Sequence, residues 1–244
     1  MPSSTHSSET LHILQDFPVV STETWENAIR VDLKGADYNK KLIWNSDEGV
    51  AIRPYYHREH LKDRESQTQI APGEFPFVRG RGSQSWKQVE PQTEITADAI
   101  RVDAVHEHGG TAVQELGYGI ALGVERLMEQ LHAGSSADEA AKSIRFVFAI
   151  GSNYFFEIAK LRAARILWTR VVSAFQPRDE SSCLMNIHAC TALCDKSIYD
   201  PFANVLRATT EAIAAVIGGC DSLEVRPFRF SSHLAMNIQR LLQE

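Results

Sequence analysis

His106, Glu107 and His108 stand together directly after an apolar run that begins at Ile100. On a strand, alternate residues share a side, so the two imidazoles could turn the same way and hold a metal ion or a phosphate, with Glu107 as a pocket carboxylate. No third ligand stands at a useful spacing, and the plainer reading, two histidines and a solvated acid in the polar loop at a strand end, is favoured. Arg145 lies inside the run Ile144 to Ile150, where a charge on a buried strand needs a partner. His188 ends another apolar run, facing either a pocket or the core. Lys160, Arg162 and Arg165 follow on a helical pattern, where they could pair with ligand phosphates; pairing with neighbouring acids on the helix surface is the ordinary expectation. The candidate pocket is therefore Glu107, His106, Arg145 and His188, and no one of them defines a reaction.

Composition narrows the classes. A formal charge of -6 gives no clustered basic excess, so neither nucleic acid nor an anionic membrane surface is an expected partner. The first ten residues are polar with no apolar core of a signal peptide, and no run approaches the length that crosses a bilayer, so a cytoplasmic location is expected. Cys183, Cys190, Cys194 and Cys220 lack paired CxxC spacing and read as free thiols rather than a zinc site or disulfides.

These residues have to be positioned by elements that alternate. Residues 1–20 read as a disordered lead-in, and 21–84 as an arm: a helix opening at Ser21 or Thr22, closed near Gly35, a hairpin over Leu42–Ile52, and loop over 62–84. From Ile100 the pattern becomes strand and helix in turn. Strands are expected at Ile100–Val105, Ile144–Ile150, Leu184–His188 and Ser222–Phe228. Helices are expected at Thr111–Leu131, Ala137–Lys142, Tyr154–Trp168, from Asp200-Pro201 to Ile217, and at Leu234–Leu242. Asn153 is a plausible cap for the third of these, with Phe155, Ile158, Ala159 and Leu161 as its buried face. Repeated βα units imply a parallel sheet, either open and doubly wound or part of a barrel.

Several longer motifs carry a resemblance. Trp25 with Asp32-Leu-Lys-Gly-Ala-Asp-Tyr38, Pro76-Phe-Val-Arg-Gly80, Ile158-Ala-Lys-Leu-Arg-Ala-Ala-Arg-Ile-Leu-Trp168, and Asp200-Pro-Phe202 with Leu206-Arg-Ala-Thr-Thr-Glu-Ala212 follow in order. Together they resemble the methylmalonyl-CoA mutase family, the adenosylcobalamin-dependent acyl-CoA mutases. The resemblance implies a (β/α)8 barrel of the TIM type whose axis holds the CoA tail. Such a barrel usually needs about 250 residues, yet only Glu90–Ala97 separates the part resembling its entrance from the part resembling its fifth strand. A truncated barrel with about half its βα units, over 85–244, is therefore expected.

By the same resemblance the fifth strand should carry Tyr-His-x-x-Glu, the histidine donating to the substrate's thioester carbonyl; the matching positions are Asp103, Ala104 and Glu107. The glutamine following the seventh-strand histidine is matched by Cys190, after His188. The family's Asp-x-His-x-x-Gly cobalt-ligand motif has no match. His106 to Gly117 is instead similar to the non-catalytic small subunit of the heterodimeric mutases. The resemblance thus implies an accessory subunit that binds no cofactor itself, with adenosylcobalamin held in the assembled enzyme. The expected partners are a catalytic large subunit carrying the cobalamin domain, or a second copy of the chain. The other reading is a catalytically contributing barrel chain completed by a separate cobalamin-binding chain. A sheet of this size should leave its first and last strands open, exposing Phe146, Phe148 and Val225, and so should drive association together with the arm, residues 21–60.

Overall fold

A computed structural model describes residues 17–82, 86–91, 93 and 98–244, apart from the side chains of residues 65 and 66. The greater part of the expected lead-in, residues 1–16, lies outside the described residues, as does most of 90–97. The chain forms two compact units, one up to Lys62 and one from Asp63 onward.

The first unit holds helix α1 (Thr22–Asp32), helix α2 (Tyr38–Leu42) and a two-stranded antiparallel ladder of β1 (Trp44–Asn45) and β2 (Ala51–Ile52). Ser21 caps α1 by accepting from the Thr24 amide, and Asp37 caps α2 by accepting from Lys40. The chain leaves α1 through Gly35, whose φ of 88° suits a residue without a Cβ. Trp25 stacks on Tyr55 at 4.9 Å between ring centroids. Neither α1 nor α2 has a buried residue.

In the second unit a short helix α3 (Glu65–Thr68) and a loop lead to the edge strand β3 (Lys87–Val89). The remaining elements alternate: β4 (Ile100–Arg101), α4 (Asp103–Glu107), α5 (Ala112–His132), α6 (Ala137–Ser143), β5 (Arg145–Ile150), α7 (Tyr154–Ala174), β6 (Asn186–Thr191), α8 (Pro201–Gly218), β7 (Ser222–Glu224) and α9 (Ser232–Leu241). The five strands from β3 to β7 form one parallel sheet in the order β3-β7-β6-β5-β4. The first strand of the unit lies beside its last, the neighbour relation of a barrel seam, and the sheet is consistent with part of a TIM-type barrel.

Alternation sorts the sheet into two faces. Phe146, Phe148, Ile150, Ile187, Ala189 and Leu223 pack into the main core with Leu127, Leu161, Ala164, Trp168, Ala212 and Ala215 of the helices. The opposite face carries Val147, Ala149 and Cys190, and in register with them His188, Ser222 and Glu224. Two glycines let elements approach: a Cβ on Gly123 of α5 would come within 2.7 Å of Phe146 and Trp168, and one on Gly218 within 2.9 Å of Leu161.

Three expectations need correction. The strand from Ile100 ends at Arg101, and Asp103–Glu107 is helical, so His106 and His108 do not alternate on a strand. Among the described residues the sheet ends at β3 and β4: the strand from Ile100 is at an edge as expected, but the last strand is not, because β3 covers β7, and Phe146, Phe148 and Val225 are fully buried. On α7 the buried face is Glu157, Lys160, Leu161, Ala164, Arg165, Trp168, Thr169 and Val172, while Phe155 is 80% exposed, and Asn153 makes no side-chain cap. Lys160 and Arg165, expected on the helix surface, are inside because Lys160 bonds the Ala149 carbonyl of β5 and Arg165 the Met185 and Gly219 carbonyls of the turns before β6 and β7.

Candidate functional site

At the carboxyl ends of the strands a charged network joins α4 to the residues just past β6 and β7. Arg226, just past β7, donates to Asp103 Oδ2 at 2.6 Å and to Glu107 Oε1 at 3.0 Å. Arg101 grips the same Asp103 carboxylate through two bonds of 2.9 and 2.7 Å. Glu107 also accepts from the Leu193 and Cys194 amides, at 3.1 and 3.0 Å, and so pins the loop after β6 to α4. The Arg226 amide donates to Thr191 Oγ1 at 2.9 Å, and Glu224 lies 3.9 Å from both Arg226 and His188. Burial acts to raise the Asp103 carboxyl, but the two arginines outweigh it and hold it below the usual carboxylate range. Burial pushes the Cys190 thiol well up, so it stays protonated and donates to the Phe148 carbonyl at 3.4 Å. Every acid here is matched by a guanidinium, and Ala104 contributes only a methyl group. Asp103, Glu107, Arg101 and Arg226 lock one another together, each carboxylate being held by at least one guanidinium.

Behind that end, between α5, α7 and β5, lies a second ionic cluster. Ala149 of β5 faces the position where β4 has already turned away, so its N–H and C=O have no strand partner. Glu115 accepts the Ala149 amide at 3.0 Å, and Lys160 Nζ donates to the Ala149 carbonyl at 2.6 Å and to Glu115 Oε2 at 2.6 Å. The ion pair thus does the work of a strand edge. Glu157 reaches Lys160 at 2.5 Å and His106 Nδ1 sits 3.4 Å from Glu115. Burial raises the Glu157 carboxyl. Burial alone would lower the His106 imidazole, but the adjoining Glu115 carboxylate raises it.

At the amino ends of the strands the surface opens into a cavity of about 610 Å³, bordered by Arg79, Arg81, Lys87, Arg145, Asn186 and His188 among others. The Gly219 and Asp221 side of the cavity is held in place by buried Arg165, which donates to the Met185 and Gly219 carbonyls and to Asp221 Oδ2 at 3.1 Å. Arg81 holds the other Asp221 oxygen at 2.7 Å. Gly80 packs against the Gly219 carbonyl, where a Cβ would approach to 3.0 Å, so the Arg79-Gly80-Arg81 turn lies flat across the sheet end. His188 donates to or accepts from Ser222 Oγ at 2.8 Å through Nδ1, while its buried Nε2 has no hydrogen-bond partner among the described residues. Arg145 has no ion-pair partner among the described residues. Arg81 is paired with Asp221, which also borders the cavity, so Arg79, Lys87 and Arg145 are the cations left to favour an anionic ligand.

The four residues singled out in the sequence do not converge. Glu107 belongs to the network at the carboxyl end, His106 to the ion cluster behind it, and Arg145 and His188 to the cavity at the other end. His108 is exposed and bonds to the Ala104 carbonyl at 2.6 Å. Among the described residues no group of three or more His, Cys, Asp or Glu could hold a metal ion. Sequence reasoning missed Asp103, Arg226 and Glu115 as network members. Arg226, a charge at the end of an apolar strand pattern, carried the same signal that drew attention to Arg145.

Comparison with known proteins supplies the kinship. Residues 92–244 match the family model of methylmalonyl-CoA mutase. The methylmalonyl-CoA mutase small subunit of Porphyromonas gingivalis is 28% identical over 361 residues, covering 95% of this chain and 58% of that protein. That alignment is longer than the chain, so the small subunit carries an internal stretch with no counterpart here. The methylmalonyl-CoA mutase of Rhizobium meliloti is 37% identical over 63% of this chain and 25% of its own. For the methylmalonyl-CoA mutase large subunit of Streptomyces virginiae the figures are 39%, 60% and 21%. The chain thus spans little more than half of the small subunit and about a quarter of the other two.

Proposed function

The chain belongs to the methylmalonyl-CoA mutase family, and from that premise we propose that it is an accessory, non-catalytic mutase subunit built on a shortened barrel. The observation that carries this reading is the locked network of Asp103, Arg226, Glu107 and Arg101 at the carboxyl end of the sheet. TIM-type enzymes place their chemistry at that end, and here it is closed by ion pairs, with Ala104 where the resemblance asks for a donor histidine. The relatives depend on adenosylcobalamin; the residues at this end do not fit that group, since the polar side chains that would face it are already paired with one another. The strand order supports this reading: β3 beside β7, followed by β6, β5 and β4, is the order that strands one, eight, seven, six and five of a barrel would have, and strands two to four would then be the part left out.

The opposite end keeps a use. The cavity ringed by Arg79, Lys87 and Arg145 suits the phosphates of an acyl-CoA tail, so the subunit would retain contact with the ligand class of its relatives without transforming it. The partner is a mutase chain carrying the cobalamin domain. Purification of the tagged chain from its native host, followed by mass spectrometry, tests this: a co-purifying mutase chain with a complete barrel is expected. A co-purifying chain whose own barrel is incomplete would favour the catalytically contributing reading instead.

A further inference from the structure

The resemblance read from the sequence lays the tail of an acyl-CoA along the barrel axis, and the axis face of this sheet can be followed residue by residue. At the amino end Arg145, Asn186, His188 and Ser222 border the cavity. Alternation along the strands then brings Val147 and Ala149 of β5, Cys190 of β6 and Glu224 of β7 onto the same face. Val147, Ala149 and Cys190 are 0% exposed, Glu224 is 6% and His188 itself 2%. Ala99 packs against the first three, and Asp103 Oδ2 lies 3.9 Å from the Cys190 sulfur. Glu224, 3.9 Å from both His188 and Arg226, ties the inner end of the cavity to the charged network beyond it. Between the two ends these side chains keep almost no surface that a ligand could touch.

Resting on the use of the cavity given under the proposed function, we propose that the axis is closed, so that the cavity is a blind pocket: it holds a phosphorylated nucleotide by its anionic end, leaves the pantetheine arm of a CoA in solvent, and does not read the acyl group. The chemistry of the ligand and of the walls agree. In CoA the phosphates and the base stand at one end and the thioester at the other, with the flexible arm between them. Arg79, Lys87 and Arg145 offer charge to the phosphates, and Trp86, on the same cavity, offers an aromatic side chain to the base. Past His188 and Ser222 the arm meets packed side chains, and entering would part Glu224 from His188 and Arg226 and open the buried cluster around Cys190. The arm therefore turns back to solvent, and free CoA and its thioesters are the same ligand to this chain. This departs from what the resemblance implies, a tail running along the axis.

Titration calorimetry of the full chain with methylmalonyl-CoA, CoA, adenosine 3′,5′-bisphosphate and pantetheine compares the two ends of the ligand. The first two should bind with dissociation constants within about threefold of each other, the bisphosphate should bind as well, and pantetheine should not. Arg145→Met should weaken methylmalonyl-CoA and CoA alike, by about tenfold or more, the usual effect of losing a bond to a charged group, with an unchanged thermal melt. A second measurement follows the arm directly: in the Cys194→Ser variant, which lacks the exposed thiol of the chain, the thiol of saturably bound CoA should react with dithiodipyridine as fast as that of free CoA. Methylmalonyl-CoA binding more than about tenfold tighter than CoA, binding of pantetheine, or a protected CoA thiol would overturn the closed axis while leaving a CoA-binding cavity in place. Absence of binding by every probe would overturn the use of the cavity itself, and this inference with it.

Discussion

Arg226 is the cation on which the carboxyl-end network depends, since it is the group shared by Asp103 and Glu107. Arg226→Met should cost about 3 kcal/mol or more, because it leaves buried Asp103 with one partner fewer and loosens the loop that Glu107 holds; urea unfolding measures it, and a loss below 0.5 kcal/mol, typical of surface sites, would show the network to be incidental. A second residue sets the pH response. Burial lifts the Glu211 carboxyl to about 8 against the pull of Lys196. Its folded-state affinity for the proton exceeds that of the unfolded chain, so its contribution to stability is full below the unfolded value of 4.5 and is lost as pH rises through about 8. Asp103, held low, acts oppositely, its contribution being present above the ordinary carboxylate range and lost on acidification. Unfolding midpoints taken between pH 5 and 8.5 should therefore decline toward the alkaline end, and Glu211→Gln should flatten that decline. Thiol access follows the same geometry: Cys183, Cys190 and Cys220 are buried and Cys194 is exposed, so a maleimide should label one thiol of the native chain and four after unfolding.

The elements show where a sequence is legible and where it is not. Helix α8 was readable because Asp200 accepts from the amides of Phe202 and Ala203 and Pro201 stands at the first helical position, all local chemistry. The βα order was readable because apolar runs and caps alternate along the chain. The buried face of α7 was not, because it carries Glu157, Lys160 and Arg165, whose burial depends on carbonyls and amides contributed by β5 and by the turns before β6 and β7. Periodicity counts apolar residues and so chose Phe155, which is exposed, over Lys160, which is not. Leu161, on both the expected and the observed face, packs on Gly218 of α8, and Leu161→Ala should cost about 2–5 kcal/mol. The converse substitution at the other close crossing, Gly123→Ala, has to displace the Phe146 and Trp168 rings and should cost about 1–3 kcal/mol. Equal thermal melts of Gly123→Ala and the parent would place α5 farther from the sheet than 2.7 Å allows.

At the scale of the whole molecule, the second unit reads as a barrel wall whose two ends have parted ways. The carboxyl end is closed by paired ions and the amino end remains a cation-lined cavity. The family kinship could be read from the motifs in order, whereas the placement of β3 against β7 could not, since a three-residue strand ahead of a polar linker has no periodic signature. The measurement that bears most directly on a non-catalytic subunit is titration of the purified chain with adenosylcobalamin, followed by visible absorption, with methylmalonyl-CoA turnover assayed in the same samples. The account predicts an unchanged corrin spectrum and no succinyl-CoA. A stoichiometric spectral shift accompanied by turnover would contradict it.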